Sequence, residues 1–325
     1  MEIKPLFHKE FNTLDYILHR AHSVVLVAHN NPDLDAAGST VALADVIRKH
    51  YKKNVVIACY NTFPDSLKEV MEGIVFVHPE KLDLASFDVA IGCDSVERGF
   101  DRLMEHLSPA CVSVTIDHHH DIALKTDLRI IDGKYAATCE ILYNFFVHIK
   151  CDFNKNIATA LLAGIIGDTG AFQHANTTAE ILQISADLIK RGASITKIIS
   201  TLFANRKIET LNLWGKALEK TKFYEKTGLA VTAITEDNIA GHAVNGVEIS
   251  NIASMLTTVP TVKIALIVYQ ADKNTVKGSL RAEKHANIDV SEIAHRIGGG
   301  GHPLASGFSL HGHLETTSDG GWHVV

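Results

Sequence analysis

The stretch "SVVLVAHNNPDLDAAGSTVALADVIRKH", residues 23–50, decides the fold because it passes from one kind of secondary structure to another. Its first part, "SVVLVAHN" (23–30), is a short apolar and β-branched run that ends in polar residues, as a buried strand does. Its last part, "DAAGSTVALADVIRKH" (35–50), has apolar residues at helical spacing and ends in basic residues, which the C-terminus of a helix favours. The stretch therefore predicts a buried strand, a polar loop and a helix.

The same alternation continues toward the middle of the chain. Further strands are predicted for "NVVIACYN" (54–61), "FDVAIGCD" (87–94) and "ACVSVTID" (110–117). Helices are predicted for residues 138–149, 157–170 and 176–192. Short β-branched runs that alternate with helices are typical of an α/β fold. We expect a doubly wound, mainly parallel sheet with helices on both faces over residues 1–205.

The pattern changes after residue 205, which predicts a second domain. Residues 206–225 are interpreted as a linker, in which a helical stretch is followed by a polar connection. Strand-like runs at 228–235, 262–270 and 275–283 and a helix near 289–297 then indicate a smaller α/β domain over residues 226–312. The last residues, 313–325, lack periodicity, and we expect them to form a disordered tail.

Composition narrows the class of protein. A chain of 325 residues with 46% hydrophobic and 21% charged residues is globular and long enough for two domains. Its N-terminus lacks a secretory pattern, and the apolar runs fall short of a membrane span. Its five cysteines are far apart, which indicates a reduced, cytoplasmic chain. A net charge of −6 makes long duplex nucleic acid a poor partner.

Polar residues leave several of the predicted strands and helices at their ends. They are His29, Asp33 and Asp35 in "HNNPDLD", Asp94 in "IGCDSVERG", Asp117 to His120 in "DHHH", and Asp168 in "GIIGDTGAF". Each motif taken alone could be an ordinary polar turn or a helix cap. Together they can converge, because sheets of this class place their sites at the carboxyl ends of the strands.

Carboxylates and imidazoles with almost no sulfur suit hard or borderline divalent cations such as Mn²⁺ or Mg²⁺. Two such cations about 3.5–4 Å apart need a bridging carboxylate, and together they suit the cleavage of phosphate esters. The motifs therefore favour a hydrolase that uses two divalent cations.

These motifs resemble, in order and spacing, the four motifs of the DHH phosphoesterases. In addition, "GGGGHPLASG" (298–307) resembles the glycine-rich signature of the attached DHHA1 domain. The resemblance extends from about residue 23 to 312 and is greatest to the branch of nano-RNases and pAp phosphatases, which also includes enzymes that cleave cyclic or linear dinucleotides. It implies a cytoplasmic hydrolase acting on phosphoester bonds of short oligonucleotides or nucleotides, and it allows a homodimer.

The resemblance also implies a ligand set. One cation would be held by His29 and Asp33, the other by Asp35, His118 and Asp168, with Asp94 as the bridge. Mn²⁺ is the expected metal, with Mg²⁺ or Co²⁺ as alternatives.

Two further residues complete the catalytic assignment. Asp117 would fix an imidazole, and His119 would donate to the scissile phosphate or to the leaving oxygen. His120 lies outside the family's minimal motif and is expected to be an ordinary loop residue. Leu34 is a departure, because the family often has Gly there, but both neighbouring carboxylates remain.

The glycine run predicts a ligand-binding loop. Gly299, Gly300 and Gly301 allow a ligand close to the backbone and leave N–H groups for an anion, and His302 follows as a donor. Arg281 is the expected bidentate phosphate clamp of this domain. We expect these residues to hold the terminal phosphate or base of a short substrate.

Several functions remain open at this point. Hydrolysis of pAp or of very short oligonucleotides leads, and a phosphodiesterase for cyclic or linear dinucleotides would use the same site. The glycine-rich signature argues against an inorganic pyrophosphatase, and the acidic composition argues against a processive single-strand exonuclease. A regulator without catalysis is disfavoured because every expected ligand is present.

Overall fold

A computed structural model describes residues 7–61, 68, 70–71, 75–94, 96–119, 122–174, 176–203, 208–236, 246–283, 286–317 and 321–325. The chain divides into two compact units, residues 1–205 and 206–325. Each unit has its own sheet and its own apolar core.

The first unit alternates strands and helices along most of its length. Its elements are α1 (His8–Arg20), β1 (Ser23–Ala28), α2 (Leu34–Lys49), β2 (Asn54–Ala58), β3 (Phe76–Val77), β4 (Val89–Cys93), α3 (Phe100–Met104), β5 (Val112–Asp117), β6 (Leu128–Ile131), α4 (Thr138–His148), α5 (Lys155–Asp168), α6 (Ala179–Lys190) and α7 (Ile195–Phe203). The strand, loop and helix predicted for residues 23–50 are confirmed as β1, the following loop and α2.

Six strands of the described residues form one sheet in the order β3-β2-β1-β4-β5-β6, and every pair is parallel. Successive side chains of a strand point to opposite faces, so β1 supplies two cores. Val24 and Leu26 join the larger core, whereas Val25 and Val27 join the smaller core on the other face. The predicted doubly wound α/β fold is confirmed.

The order and register of the strands bring the ends of β1, β4 and β5 together. β1 pairs with β4, and β4 pairs with β5, in a register that places Ala28, Cys93 and Ile116 level with one another. The residues that follow them are His29, Asp94 and Asp117. These three therefore leave the sheet at the same level of one edge.

The second unit is a smaller α/β domain. Its elements are α8 (Ile208–Glu219), β7 (Lys222–Tyr224), β8 (Leu229–Ile234), α9 (Gly246–Thr257), β9 (Ile264–Asp272), β10 (Thr275–Ala282), α10 (Val290–Arg296), β11 (Gly300–His302), β12 (Ala305–His311), β13 (Leu314–Thr316) and β14 (Trp322–Val324). The main sheet has the order β11-β12-β10-β9-β8-β7, in which β8 and β9 are parallel and the other pairs are antiparallel.

Two parts of this unit differ from the sequence interpretation. Residues 206–225 contain α8 and β7 rather than a linker, because Leu213, Trp214 and Ala217 bury one face of α8 in the core of this unit. The expected disordered tail contains β13 and β14, which pair antiparallel, and Leu314 is buried. Among the described residues, the helices are too short or too polar to cross a membrane.

The contact between α2 and α5 depends on a glycine, and this generates the first prediction. A Cβ at Gly38 of α2 would lie 2.3 Å from the carbonyl oxygen of Ala160 in α5. We expect Gly38→Ala to lower the free energy of unfolding by about 1–3 kcal/mol because the helices must separate. Urea unfolding followed by circular dichroism measures this loss.

Gly215 provides the matched control. It lies within α8, and nothing lies within 4 Å of the position that its Cβ would occupy. Gly215→Ala should therefore stabilise the chain by about 0.5–1 kcal/mol, since alanine favours a helix over glycine. Equal stability of Gly38→Ala and wild type would contradict the close packing of α2 on α5.

Candidate metal centre

The candidate site forms where the parallel strands β1, β4 and β5 end. His29 follows β1, Asp94 follows β4, and Asp117 to His119 lie at the end of β5. Asp94 adopts a left-handed backbone conformation with φ 58°, and its amide donates to the carbonyl oxygen of Ile116 on β5. Asp tolerates this conformation better than most residues, and such backbone strain is common at functional sites.

Two helices bring the other carboxylates to this edge. Asp33 is the N-cap of α2, and its Oδ1 accepts hydrogen bonds of 3.0 Å from the amides of Asp35 and Ala36. Asp35 lies in the first turn of α2 and is fully buried, whereas 58% of the Asp33 side chain is exposed. Asp168 is the last residue of α5. The N-terminus of one helix and the C-terminus of another thus supply three carboxylates.

The side chains form two groups that share Asp94. In the first group, His29 Nε2 lies 3.7 Å from Asp33 Oδ2 and 3.6 Å from Asp94 Oδ2.

In the second group, His118 Nε2 lies 3.0 Å from Asp168 Oδ2, 3.9 Å from Asp35 Oδ2 and 3.7 Å from Asp94 Oδ1. One oxygen of Asp94 therefore belongs to each group. The six residues expected from the sequence to hold metal lie together here, and Asp94 and His118 also form a third group with His119.

His119 lies beside the two groups and is oriented by Asp117. Asp117 Oδ1 accepts hydrogen bonds from the amide of His119 at 2.9 Å and from its Nδ1 at 2.7 Å, so Nδ1 carries the proton. Burial opposes ionisation of Asp117, but the hydrogen bonds from His119 hold its pKa below the ordinary value. Nδ1 of the predicted ligand His118 lies 3.4 Å from the carbonyl oxygen of Tyr135 instead. The imidazole that Asp117 holds is thus that of His119.

The pKa shifts of the buried carboxylates indicate that the centre needs positive charge. Burial, followed by the charges of neighbouring aspartates, raises the pKa of Asp94 well above its ordinary value, and burial also raises the pKa of Asp35. The pKa of Asp168 is raised to about 7 by burial and by the charge of Asp35. Burial opposes protonation of His118, but the hydrogen bond and charge of Asp168 raise its pKa to about 9. Several buried carboxylates cannot all be ionised here without compensating cations.

The donor atoms fit such cations. His29 Nε2 and Asp94 Oδ1 are buried without a hydrogen-bond partner among the described residues, although buried polar atoms normally have one. The donors are carboxylate oxygens and imidazole nitrogens, and thiolates are not among them. This set suits hard or borderline divalent cations rather than soft metals.

Groups outside the predicted ligand set also contact the centre. The backbone amides of Thr138 and Cys139 donate to the carboxylate of Asp35. Asn176 Nδ2 donates to the carbonyl oxygens of Asp168 and Ala136, which ties the end of α5 to the start of α4. Every residue except proline has a backbone amide that can donate a hydrogen bond, so the residue types could not indicate the contacts to Asp35. His120 lies outside the described residues, and its role as a bystander stays a prediction.

The second half of the glycine run in the second unit lies in a short strand, and Gly299 precedes that strand. Gly300, Gly301 and His302 constitute β11, which pairs with β12 and lies at an edge of the sheet. A Cβ at Gly299 or Gly301 would meet carbonyl oxygens of β12 at 2.2 and 2.6 Å. These two glycines are therefore required by packing. At Gly300 the nearest atom would be Nε2 of His295 at 3.7 Å, an ordinary contact.

Arg281 lies near this strand in the register of the sheet. It pairs with Ala305 of β12, which in turn pairs with His302. Its Nη1 donates to the carbonyl oxygen of Leu280 at 2.9 Å, and burial lowers the pKa of its guanidinium. The side chain of His302 lies outside the described part of the chain. The structure thus places Arg281 two strands from β11, at the level of its last residue.

Comparison with known proteins assigns the chain to a family. It matches the model of the DHH family, N-terminal domain, over residues 23–165, and the model of the DHHA1 domain over residues 226–318. These two ranges cover most of the chain. The chain belongs to the DHH/DHHA1 family of phosphoesterases and is a hydrolase acting on phosphoester bonds.

Two curated relatives differ in the share of their length that is matched. The chain is 25% identical over 296 residues to the bifunctional oligoribonuclease and PAP phosphatase NrnA of Bacillus subtilis, covering 89% of this chain and 90% of the relative. It is 23% identical to the cyclic-di-AMP phosphodiesterase GdpP of the same organism, covering 93% of this chain but 47% of the relative.

A solved structure has the same fold. The exopolyphosphatase-related protein from Bacteroides fragilis superposes with a TM-score of 0.86 at 22% identity, and the match covers 96% of this chain and 93% of that protein.

The packing of the glycine strand generates the second prediction. We expect Gly301→Ala to destabilise the chain by about 1–3 kcal/mol, because its Cβ would overlap β12 and its φ is +140°. Gly300→Ala should leave the unfolding midpoint close to that of wild type. Thermal unfolding of both variants in EDTA compares them, and an equal loss in both would contradict the described register.

Proposed function

We propose that the chain is a phosphohydrolase that depends on divalent cations and acts on pAp and on very short oligonucleotides. The observation that carries the proposal is the arrangement of Asp94, whose two oxygens each face one group of metal-binding side chains. A carboxylate shared in this way is what two adjacent cations require.

The proposal assigns the first cation to His29 and Asp33 and the second to Asp35, His118 and Asp168, with Asp94 as the bridge. Mn²⁺ is the proposed metal, and Mg²⁺ and Co²⁺ are alternatives. When bound, two such cations would make a water molecule acidic enough to attack phosphorus and would offset charge on the phosphate oxygens.

The other side chains of the centre orient and donate. Asp117 holds Nδ1 of His119 and orients its ring, in the way a carboxylate supports a catalytic imidazole. His119 then donates to the scissile phosphate or to the leaving oxygen. Because Nδ1 is held by Asp117, the donor is Nε2. His119 lies beside the proposed bridge, with its Nδ1 3.4 Å from Asp94 Oδ1.

The second unit would bind the substrate. Arg281 offers a planar guanidinium for a phosphate. Strand β11 lies at an edge of the sheet and contains Gly300, where packing would also allow a side chain. The backbone beside Gly300 can therefore accept a ligand at close range. We propose Arg281, Gly299, Gly300, Gly301 and His302 as the substrate-binding residues of this unit, and a cytoplasmic location for the protein.

The substrate assignment is supported by the relatives. NrnA of Bacillus subtilis, which is matched over nearly its whole length, is named for oligoribonuclease and PAP phosphatase activities. A second candidate is a phosphodiesterase for cyclic or linear dinucleotides, favoured by the match to GdpP over less than half of that protein. Both functions would use the same centre.

A hydrolysis panel separates these candidates. The chain, supplied with Mn²⁺, is incubated with pAp, dinucleotides to pentanucleotides, linear diadenylate, cyclic di-AMP and pyrophosphate. We expect the highest kcat/KM for pAp or the shortest oligonucleotides. Faster turnover of cyclic di-AMP or linear diadenylate would favour the second candidate, and failure to cleave any phosphoester with Mn²⁺ present would contradict the proposed function.

Substitutions in the centre generate the third prediction. Asp94→Ala should lower kcat by at least about 1,000-fold, as loss of one member of a catalytic unit does. His119→Ala should lower kcat by about 10²–10⁴-fold, the usual contribution of a general acid. Steady-state kinetics with pAp measure both.

The controls distinguish loss of chemistry from loss of fold. His120→Ala should keep the activity of wild type, because His120 is expected to take no part. Circular dichroism of Asp94→Ala should match that of wild type. Full activity of Asp94→Ala would contradict its bridging role, and full activity of His119→Ala would contradict its role as a donor.

A further inference from the structure

The carboxylate of Asp35 is held by the start of a helix that is distant in sequence. Its Oδ2 accepts a hydrogen bond of 2.7 Å from the amide of Thr138, and its Oδ1 accepts one of 3.0 Å from the amide of Cys139. Thr138 and Cys139 are the first two residues of α4. Asp35 itself is fully buried. Both oxygens of this proposed metal ligand are therefore already oriented by backbone donors.

The start of α4 depends on Asp35 in turn. The first amides of a helix have no partner within the helix and normally receive a capping side chain. The N-cap position of α4 is Ala137, whose side chain cannot cap. The carboxylate of Asp35 takes that place, and its negative charge is favoured at the positive end of the helix.

Helix α5 limits the movement of the same carboxylate. A Cβ at Gly164 would lie 2.6 Å from Asp35 Oδ1 and 2.3 Å from Cys139 Sγ. Gly164 is therefore the residue that makes room for the carboxylate between α4 and α5. Asp33 contrasts with this arrangement, since it caps its own helix and is largely exposed.

We propose that the amides of Thr138 and Cys139, together with Gly164, are positioning groups that hold Asp35 ready for the cation of the second group. The inference rests on the proposed function only in that it assumes a cation there. Hydrogen-bond donors of this kind orient a metal-binding side chain before the cation binds. Their loss usually weakens metal binding by about 10–100-fold. The affinity of one cation position should depend on α4, and that of the other position should not.

Thr138→Pro tests this inference, because proline removes the amide hydrogen that Asp35 Oδ2 accepts. Thr138 is the first residue of α4, where helices accept proline, and Ala137 has the extended backbone that precedes proline, with φ −160° and ψ 153°. The matched control is Thr138→Ala, which keeps the amide. It removes the γ-methyl group and a hydroxyl that has no hydrogen-bond partner among the described residues.

The readout is Mn²⁺ binding to the metal-free chain, measured by calorimetry and by the electron paramagnetic resonance signal of free Mn²⁺. We expect Thr138→Pro to weaken one of two Mn²⁺ equivalents by about 10–100-fold, whereas Thr138→Ala stays within about threefold of wild type for both. Equal binding by the two variants would overturn the inference alone. Wild type that bound no Mn²⁺ would overturn both the inference and the proposed function.

A second measurement applies if Thr138→Pro does not fold. Hydrogen exchange in EDTA reports on the amides of Thr138 and Cys139 without any metal or substrate. Asp35→Ala should speed their exchange relative to wild type, whereas Asp33→Ala should not. Unchanged exchange in Asp35→Ala would overturn the inference, because the carboxylate would then not hold these amides.

Discussion

The parallel pairing of β1, β4 and β5 is the constraint on which the rest of the centre depends. Because Ala28, Cys93 and Ile116 are level in the sheet, the residues that follow them leave at one edge. A shift of one residue in the pairing of β1 with β4 would separate His29 from Asp94, and the same shift between β4 and β5 would separate Asp117 from Asp94. Either shift would also turn every side chain of the shifted strand to the other face of the sheet. The helices then add Asp33, Asp35 and Asp168 to a position that the strands have already defined.

The same arrangement collects negative charge where water is largely excluded. Asp35, Asp94 and Asp117 are buried at the ends of α2, β4 and β5, and the pKa values of Asp35 and Asp94 are raised. Buried carboxylates are costly unless they are paired, hydrogen-bonded or bound to metal. Asp35 is hydrogen-bonded to α4 and Asp117 to His119, whereas Oδ1 of Asp94 has no hydrogen-bond partner among the described residues. Asp94 is therefore the carboxylate whose burial most needs a cation, which agrees with its position between the two groups.

Much of this could be predicted from the sequence, for reasons that are local. Buried parallel strands are continuous apolar runs, so β1, β2, β4 and β5 were evident, and polar residues after such runs indicated the edge where they meet. The sequence analysis does not predict the short strands β3 and β6, because edge strands bury less and carry a weaker pattern. It also omits helix α1, although Phe11, Leu14 and Leu18 recur there at helical spacing.

The remaining differences arise from tertiary contacts. Helix α8 was interpreted as part of a linker, since burial of Leu213 and Trp214 depends on the sheet of the second unit. The glycines at 299 and 301 suggested a loop, yet they allow β11 to lie close against β12. The hydrogen bonds from α4 to Asp35 come from backbone amides, and the sequence cannot indicate them.

The central claim is that Asp94 lies between two divalent cations, and a crystal structure of the chain grown with Mn²⁺ tests it most directly. An anomalous difference map should contain two Mn²⁺ peaks about 3.5–4 Å apart. One should lie within coordination distance of His29 and the other of His118, with an oxygen of Asp94 on each. A single peak, or two peaks that Asp94 does not join, would contradict the account.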